Sequence, residues 1–469
     1  MVALAALMQT AMAEDGPPEP TAPLSAASGP VECEDSPPGL WERSTLLGSF
    51  DGKRTELCRT GIQFGATHQS EFLGNAVGGQ RTGGKYQGRT EFDLELDFDK
   101  LAEISGLTAH ASAYWINGGR LSKNVGSIMP TSNIEAVPGL RLNTLWVQQS
   151  LWGDLVNLRL GQLAADDEFL TSKVSSTFIN GTFGWAAMVA ADLPSGGPGF
   201  PLPTPGARLK INFNDQISWM AGVFDADPGG KPPATDAAYN PQWRNHSGTT
   251  FSLDEGTFTI SEAAYAVNQG KSDPGLAATY KLGGWYNSES FFDQRWDQNH
   301  VSLAAPNALS TGNRLRGNWG VYGVVDQMLL REEVGSDQGL SAFMRLGGSP
   351  SDRNQVAYYL DAGLAYKGPF QRPDDTVGVA FAYASLSDSL AALDRDNNNF
   401  NATPTRPIRD FESVIELTYQ AQITPWWTVQ PDVQYIIHPG GNIPNPGSIA
   451  GLRPVGDAAV FGARTALKF

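Results

Sequence analysis

No apolar run in this 469-residue chain approaches the ~20 residues that a membrane-crossing helix needs. Positive charge is scarce as well: 33 Lys and Arg stand against 49 Asp and Glu, a net charge of −16. That balance argues against nucleic acid, whose phosphates require a cation surplus. The five histidines, His68, His110, His246, His300 and His438, have no metal-ligand spacing. No G-x-S-x-G nucleophile elbow occurs. The acidic stretch 91–99 lacks the glycine and turn chemistry of a calcium loop, and Pro-Gly-Gly at 439–441 reads as a turn. Neither a metal, a cofactor nor an enzymatic activity is expected.

Only two cysteines are present, Cys33 and Cys58. In an exported chain such a pair suggests one disulfide, which would stabilise by roughly 3–4 kcal/mol in the chain-entropy view. Export is the reading of the N-terminus. Residues 1–13 are small and apolar and end Ala11-Met12-Ala13, a cleavage-type site. The first basic residue is Arg43, so this is a signal-peptide remnant without its positive n-region. Residues 14–45 form a flexible, Pro-rich leader, and residues 46–469 form the folded domain.

What the chain has in abundance is glycine (52), proline (31), aromatics (10%) and period-two alternation. In 356–367, VAYYLDAGLAYK, Val356, Tyr358, Leu360, Ala362, Leu364 and Tyr366 share one face. Ala357, Tyr359, Asp361, Gly363, Ala365 and Lys367 share the other. In 89–99, RTEFDLELDFD, Phe92, Leu94, Leu96 and Phe98 oppose Arg89, Glu91, Asp93, Glu95, Asp97 and Asp99. The last residues, DAAVFGARTALKF, alternate up to Phe469, a terminal aromatic of the kind outer-membrane assembly machinery reads. Such segments recur about 16 times, at 58–68, 86–98, 106–116, 141–150, 155–163, 206–214, 216–226, 257–268, 275–287, 317–330, 338–348, 354–367, 376–386, 409–422, 426–437 and 457–469, each near the ~10 residues of a tilted membrane strand.

The connections alternate too. Gaps such as 151–154, 215 and 423–425 are short, and those between them, such as 69–85, 117–140, 164–205 and 387–408, are long, with 349–353 as the exception. An all-β transmembrane antiparallel barrel with short periplasmic turns and long extracellular loops accounts for this asymmetry. Lipid takes the apolar face and the polar face lines water, because every backbone group must be paired inside a closed wall. Of Trp146, Trp152, Trp219, Trp285, Trp426 and Trp427, several should form the interfacial girdles. The longest loop, 164–205, is expected to fold inward and narrow the lumen.

Three segments carry a family resemblance. LLGSFDGKRTELCRTGIQF (46–64) offers a short N-terminal helix, with Asp51 as its cap and Gly61 as its stop, before the first strand. GQLAADDEFLTSKVSSTFINGTFGW (161–185) is a strand end with an inserted loop. ESVIELTYQAQITPWWTVQPDVQYIIHPGGN (412–442) pairs an E-x-x-x-E strand with a Q-P-D-x-Q-Y-I-x-H-P-G-G strand. The chain resembles the carbohydrate-selective porin (OprB-type) family. One departure is Ser49-Phe50-Asp51-Gly52, where that family has a Trp-Gly-Gly-like stretch. The resemblance implies a passive outer-membrane channel of a Gram-negative bacterium for neutral mono- or oligosaccharides, with charged and aromatic residues at its narrow point. Arg54, Glu412, Glu416, Tyr419, Asp432, Gln434, Tyr435 and His438 match its motifs.

From alternation and motif together, the pore-lining and substrate-contact candidates are Arg89, Glu91, Asp93, Arg159, Asp361, Glu412, Glu416, Asp432, Gln434 and His438. Carboxylates and guanidinium groups can replace a sugar's water through charge-assisted hydrogen bonds, provided each contact is weak enough for release. Two other readings stay open: a general or cation-leaning porin, because the lumen is acidic, and a non-transport structural or polysaccharide-export-associated barrel. Monomer and homotrimer are equally compatible with the sequence.

Overall fold

The computed structural model describes residue 33 and residues 39–231, 240–270, 272–400 and 406–469. The expected signal-peptide remnant at 1–13 and most of the 14–45 leader lie outside the described residues. An eight-residue helix, α1 (Lys53–Thr60), precedes the barrel. Its N-cap is Gly52, with no side-chain cap, so Asp51 does not take the capping role expected of it. Gly61 does end the helix, at φ +97°, and donates its N–H to Cys58 and Leu57. A Cβ there would stand 2.5 Å from the Asp97 carbonyl, so glycine meets both the left-handed conformation and the close approach.

Sixteen strands follow: β1 (Ile62–Gly79), β2 (Gly83–Asp97), β3 (Leu107–Gly118), β4 (Gly139–Leu151), β5 (Val156–Leu163), β6 (Thr204–Asn212), β7 (Ile217–Asp225) and β8 (Thr257–Val267). The second half is β9 (Ala278–Phe292), β10 (Arg314–Arg331), β11 (Gly339–Gly348), β12 (Val356–Lys367), β13 (Thr376–Leu386), β14 (Phe411–Thr424), β15 (Trp427–Ile437) and β16 (Gly456–Lys468). Each pairs antiparallel with its sequence neighbours, and β1 pairs with β16, closing the barrel. No helix among the described residues is long and apolar enough to cross a membrane; the strands are the crossing elements.

Alternation maps onto the two faces as the physics demands. Phe92, Leu94, Tyr358, Leu360, Leu364 and Phe461 point outward with much of their surface exposed. Tyr359, Asp361 and Arg464 point inward and are buried. Replacing Leu360 with Arg places a charge in hydrocarbon and is expected to cost about 2–4 kcal/mol. Loss of the heat-modifiable barrel band on gels checks this, and a normal band would place Leu360 away from lipid.

Three departures have local causes. A β-bulge between Val356 and Tyr358 turns Val356 inward, where it is fully buried. The long loop expected at 69–85 is a hairpin instead: β1 and β2 stay paired through Asn75 and Gly83, leaving only 80–82 as the tip. Glycines and polar residues interrupt the sequence signal there without interrupting the ladder. Trp146 and Trp285 face inward and are not girdle residues, whereas Trp152 and Trp219 face outward at the short-turn end.

Cys33 and Cys58 are joined by a disulfide. The segment they fasten is tied to the short-turn end of the barrel. Leu46 donates its N–H to the Lys468 carbonyl, the Trp426 indole donates to the Leu40 carbonyl, and Arg54 donates to the Phe469 carbonyl at 3.0 Å.

Candidate functional site

The interior is filled unequally. Residues 164–203, between β5 and β6, carry Phe169, Leu170, Phe178, Ile179, Phe183 and Met188, all of them buried. They form one apolar cluster with inward side chains of β7 to β16, among them Phe224, Phe258, Trp285, Tyr322, Phe343, Tyr359 and Ala380. The loop therefore lies within the barrel against that arc of wall, and the connection 119–138 joins it there through Leu121, Val125 and Met129.

Polar side chains latch these loops. Arg345 on β11 is almost wholly buried; it pairs with Asp361 on β12 and donates to the carbonyls of Leu170, Thr182 and Gly184. Glu416 accepts the N–H groups of Ile179 (2.6 Å) and Asn180 (2.9 Å). Glu412 accepts those of Ile128, Met129 and Gly440. Gln434 bonds the Thr131 carbonyl, Asn180 and Asp432. Loop backbone sealed from water must find partners, and the inward wall provides them.

The sequence-derived candidates consequently divide. Asp361, Glu412, Glu416, Asp432 and Gln434 point inward but are at most 2% exposed. They lie under the loops, with no face left for a solute. His438 leaves the lumen altogether. The strand ends at Ile437, and His438 takes φ +50°. It packs 4.6 Å from Phe411 and bonds Asp410 at 3.0 Å, at the long-loop rim. Alternation ceases where the strand does, so extrapolating it one residue further misplaced this side chain.

Arg89, Glu91, Asp93 and Arg159 lie on the opposite arc, β2 to β6, where the β2 charges are half-buried and Arg159 is buried. Here strand register builds transverse rows. Glu91 stands beside Tyr114, Asp93 beside Ser112 and Glu95 beside His110. His110 stands beside Trp146. Gln148, Arg159 and Arg208 stand side by side across β4, β5 and β6. Inward residues on one strand repeat at about 6.6 Å, twice the rise per residue, so β2 alone presents a ladder of one cation and three carboxylates.

Two arginines directly opposite would repel. Glu168, from the inserted loop, stands between them, 2.7 Å from Arg159 and 2.6 Å from Arg208, and Gln148 accepts from both. The rings orient the guanidinium groups. Arg159 lies 3.8 Å above Trp146, which stacks on His110 from the other side at 5.0 Å. Arg89 lies over Tyr114 (4.8 Å) and Phe200 (5.3 Å) and pairs with Glu91 at 3.7 Å. Trp146 thus has both faces occupied and acts as a seat for Arg159.

Sequence reasoning missed Glu168, Arg208 and Trp146 as members of this group. Arg208 was legible as the polar face of 206–214. Glu168 was not, since nothing local says which wall a loop residue meets.

Asp166 and Asp167, at the start of the same loop, are half-buried. Burial pushes Asp166 up to about 6, against the pull of the Phe200 N–H that it accepts. Burial, then the neighbouring carboxylates Asp166, Glu91 and Glu168, hold Asp167 well above the usual carboxylate range. An acid raised in this way is neutral below its pKa and charged above it. Raising the pH from 5 to 8 is therefore expected to add negative charge beside the arginines and shift permeability toward cations. Reversal potentials in a salt gradient at the two pH values check this; an Asp166→Asn/Asp167→Asn double variant should flatten the dependence.

A closed sixteen-stranded barrel with a loop folded inside and a charged open wall defines an outer-membrane diffusion porin. The carbohydrate-selective porin, OprB family model matches residues 81–469. Porin B of Pseudomonas aeruginosa is 26% identical over 435 residues, covering 87% of this chain and 88% of that one. A putative porin, QuiX, of Acinetobacter baylyi is 23% identical over 451 residues, covering 91% and 94%. The high-pH structure of Pseudomonas putida OprB superposes with a TM-score of 0.79 at 22% identity, over 91% of this chain and 99% of that one. This chain belongs to the carbohydrate-selective porin, OprB family. It is a passive carbohydrate channel of the Gram-negative outer membrane.

Proposed function

We propose that neutral mono- and oligosaccharides cross along the β2–β6 wall, and that the 164–205 loop forms the opposite side of the constriction. One observation carries this reading. The inward charges of β11 to β15 are consumed as loop latches, whereas Arg89, Glu91, Asp93 and Glu95 on β2 are only half-buried. One donor cation and three acceptor carboxylates at about 6.6 Å spacing suit a solute with many hydroxyls and no net charge. Each contact is weak, so the solute moves from one to the next.

No catalytic step belongs to this reading. Glu412 and Glu416 share one strand face but stand about 13 Å apart along it, wider than the ~5–9.5 Å of a glycosidase pair, and both accept backbone N–H groups. The outward apolar band meets membrane lipid and lipopolysaccharide, and Phe469 serves the assembly machinery as its recognition residue.

Liposome swelling tests the transport reading. Glucose and a disaccharide should swell liposomes faster than a charged solute of similar size. Equal rates for all three would establish a general porin. No swelling from a correctly folded barrel would establish a structural role.

A further inference from the structure

A second feature lies outside the constriction, at the long-loop end. The β1–β2 tip packs against the chain that follows β3: Gln80 and Arg81 donate their N–H groups to the carbonyls of Val125 and Asn124. Gly126 sits at φ +82°, where a Cβ would stand 2.6 Å from the Gln80 amide nitrogen, so tip and loop are in direct contact. Between them opens a cavity of about 570 Å³ lined by Gln80, Arg81, Arg120, Ser122, Lys123, Ser127 and Glu135.

The charge in this cavity is unbalanced. Arg81, Arg120 and Lys123 make no side-chain hydrogen bond or ion pair among the described residues. The one carboxylate, Glu135, is committed to the loop itself: it accepts the N–H and hydroxyl of Ser122 at 3.1 and 2.9 Å. The Ser127 hydroxyl is buried without a partner. Within the lumen, by contrast, Arg159 and Arg208 pair with Glu168, Arg345 with Asp361 and Arg464 with Glu71. Three cations thus converge on one concavity that offers a single carboxylate, in a chain of net charge −16.

We propose that this cavity is a capture subsite for a polyhydroxylated anion: a sugar carrying a carboxylate or a phosphate. Arg81, Arg120 and Lys123 would meet the oxyanion, and Gln80 would meet the ring hydroxyls. The subsite lies upstream of the constriction. Arg81 is eight residues from Arg89, about 26 Å along an extended strand. Its role is kinetic: a local positive field raises the encounter rate of anionic sugars with a channel whose overall charge repels them. This deepens the transport reading by adding a class of solute; it does not depend on the neutral-sugar route through the β2–β6 wall.

The test uses the full chain in planar bilayers of phosphatidylcholine, free of lipopolysaccharide, with gluconate, glucose 6-phosphate and glucose as probes. Blockade on-rates are read with solute added from either side. In an Arg81→Ala/Arg120→Ala/Lys123→Ala variant, gluconate and glucose 6-phosphate on-rates from the long-loop side should fall about tenfold, the scale of electrostatic steering. Glucose on-rates, turn-side addition and the open-channel conductance should stay unchanged. The difference should shrink in 1 M salt, where the screening length is ~3 Å. Unchanged anion on-rates, or an equal fall for glucose, would overturn the proposal. So would an effect that appears only when lipopolysaccharide is added to the bilayer, which would assign the cations to lipid phosphate. Loss of swelling by neutral sugars with anion capture intact would instead count against the route through the constriction.

Discussion

Replacing Arg345 with alanine is expected to release the inserted loop. The guanidinium is 1% exposed, pairs with an Asp361 carboxylate that is fully buried, and donates to three loop carbonyls. Removing it strands a buried charge and three unpaired acceptors together. Breaking one side of a buried pair typically costs about 3–5 kcal/mol. The barrel ladder itself does not depend on Arg345, so the loss should concentrate in residues 164–203. Single-channel conductance should rise and become noisy as the loop leaves the wall, and the unfolding midpoint in urea should fall. An Arg345→Ala/Asp361→Ala double variant should recover part of the stability, because it removes the stranded charge. Conductance indistinguishable from the parent in both variants would show that the loop is held without this latch.

The second large effect is expected at Glu168. This one carboxylate bridges Arg159 and Arg208, which register places directly opposite each other. Glu168→Ala leaves two adjacent, largely buried cations without their carboxylate. Fields of several kT then favour anions, and the chloride-to-potassium permeability ratio should rise on the order of tenfold. Arg159→Ala should move the ratio the other way, since Glu168 keeps Arg208 but gains a surplus acceptor. Both substitutions lie off the lipid face, so heat-modifiability should be retained. Reversal potentials in a potassium chloride gradient decide the matter; values equal to the parent in both variants would put this cluster away from the narrow point.

These two sites differ in how they could be read. Arg159 was visible from alternation alone, since 155–163 has a clear polar face. Asp361, Glu412 and Glu416 were visible as inward for the same reason, yet inward proved insufficient. A lumen residue can face water or face a loop, and period two cannot distinguish them. The resemblance of 412–442 to a porin hairpin singled out Glu412 and Glu416 as pore-lining candidates. The structure makes them anchors for loop backbone, a role for which a carboxylate with two acceptor oxygens is well suited. His438 failed for a simpler reason: the helix-like turn at Pro439–Asn442 ends the strand pattern before the side chain's direction is set.

By itself the sequence determined the barrel. Lipid outside and water inside force every strand into two-faced alternation, and the requirement that all backbone pairs be made forces closure. Those are local and periodic constraints, so they are written into each ten-residue stretch. Only the tertiary structure decided which inward charges remain open to solute. That depends on where loops fold back, through contacts such as Glu416 with Ile179, 237 positions apart. A loop's landing place is set by shape and by unsatisfied backbone across the whole lumen, and no periodicity records it.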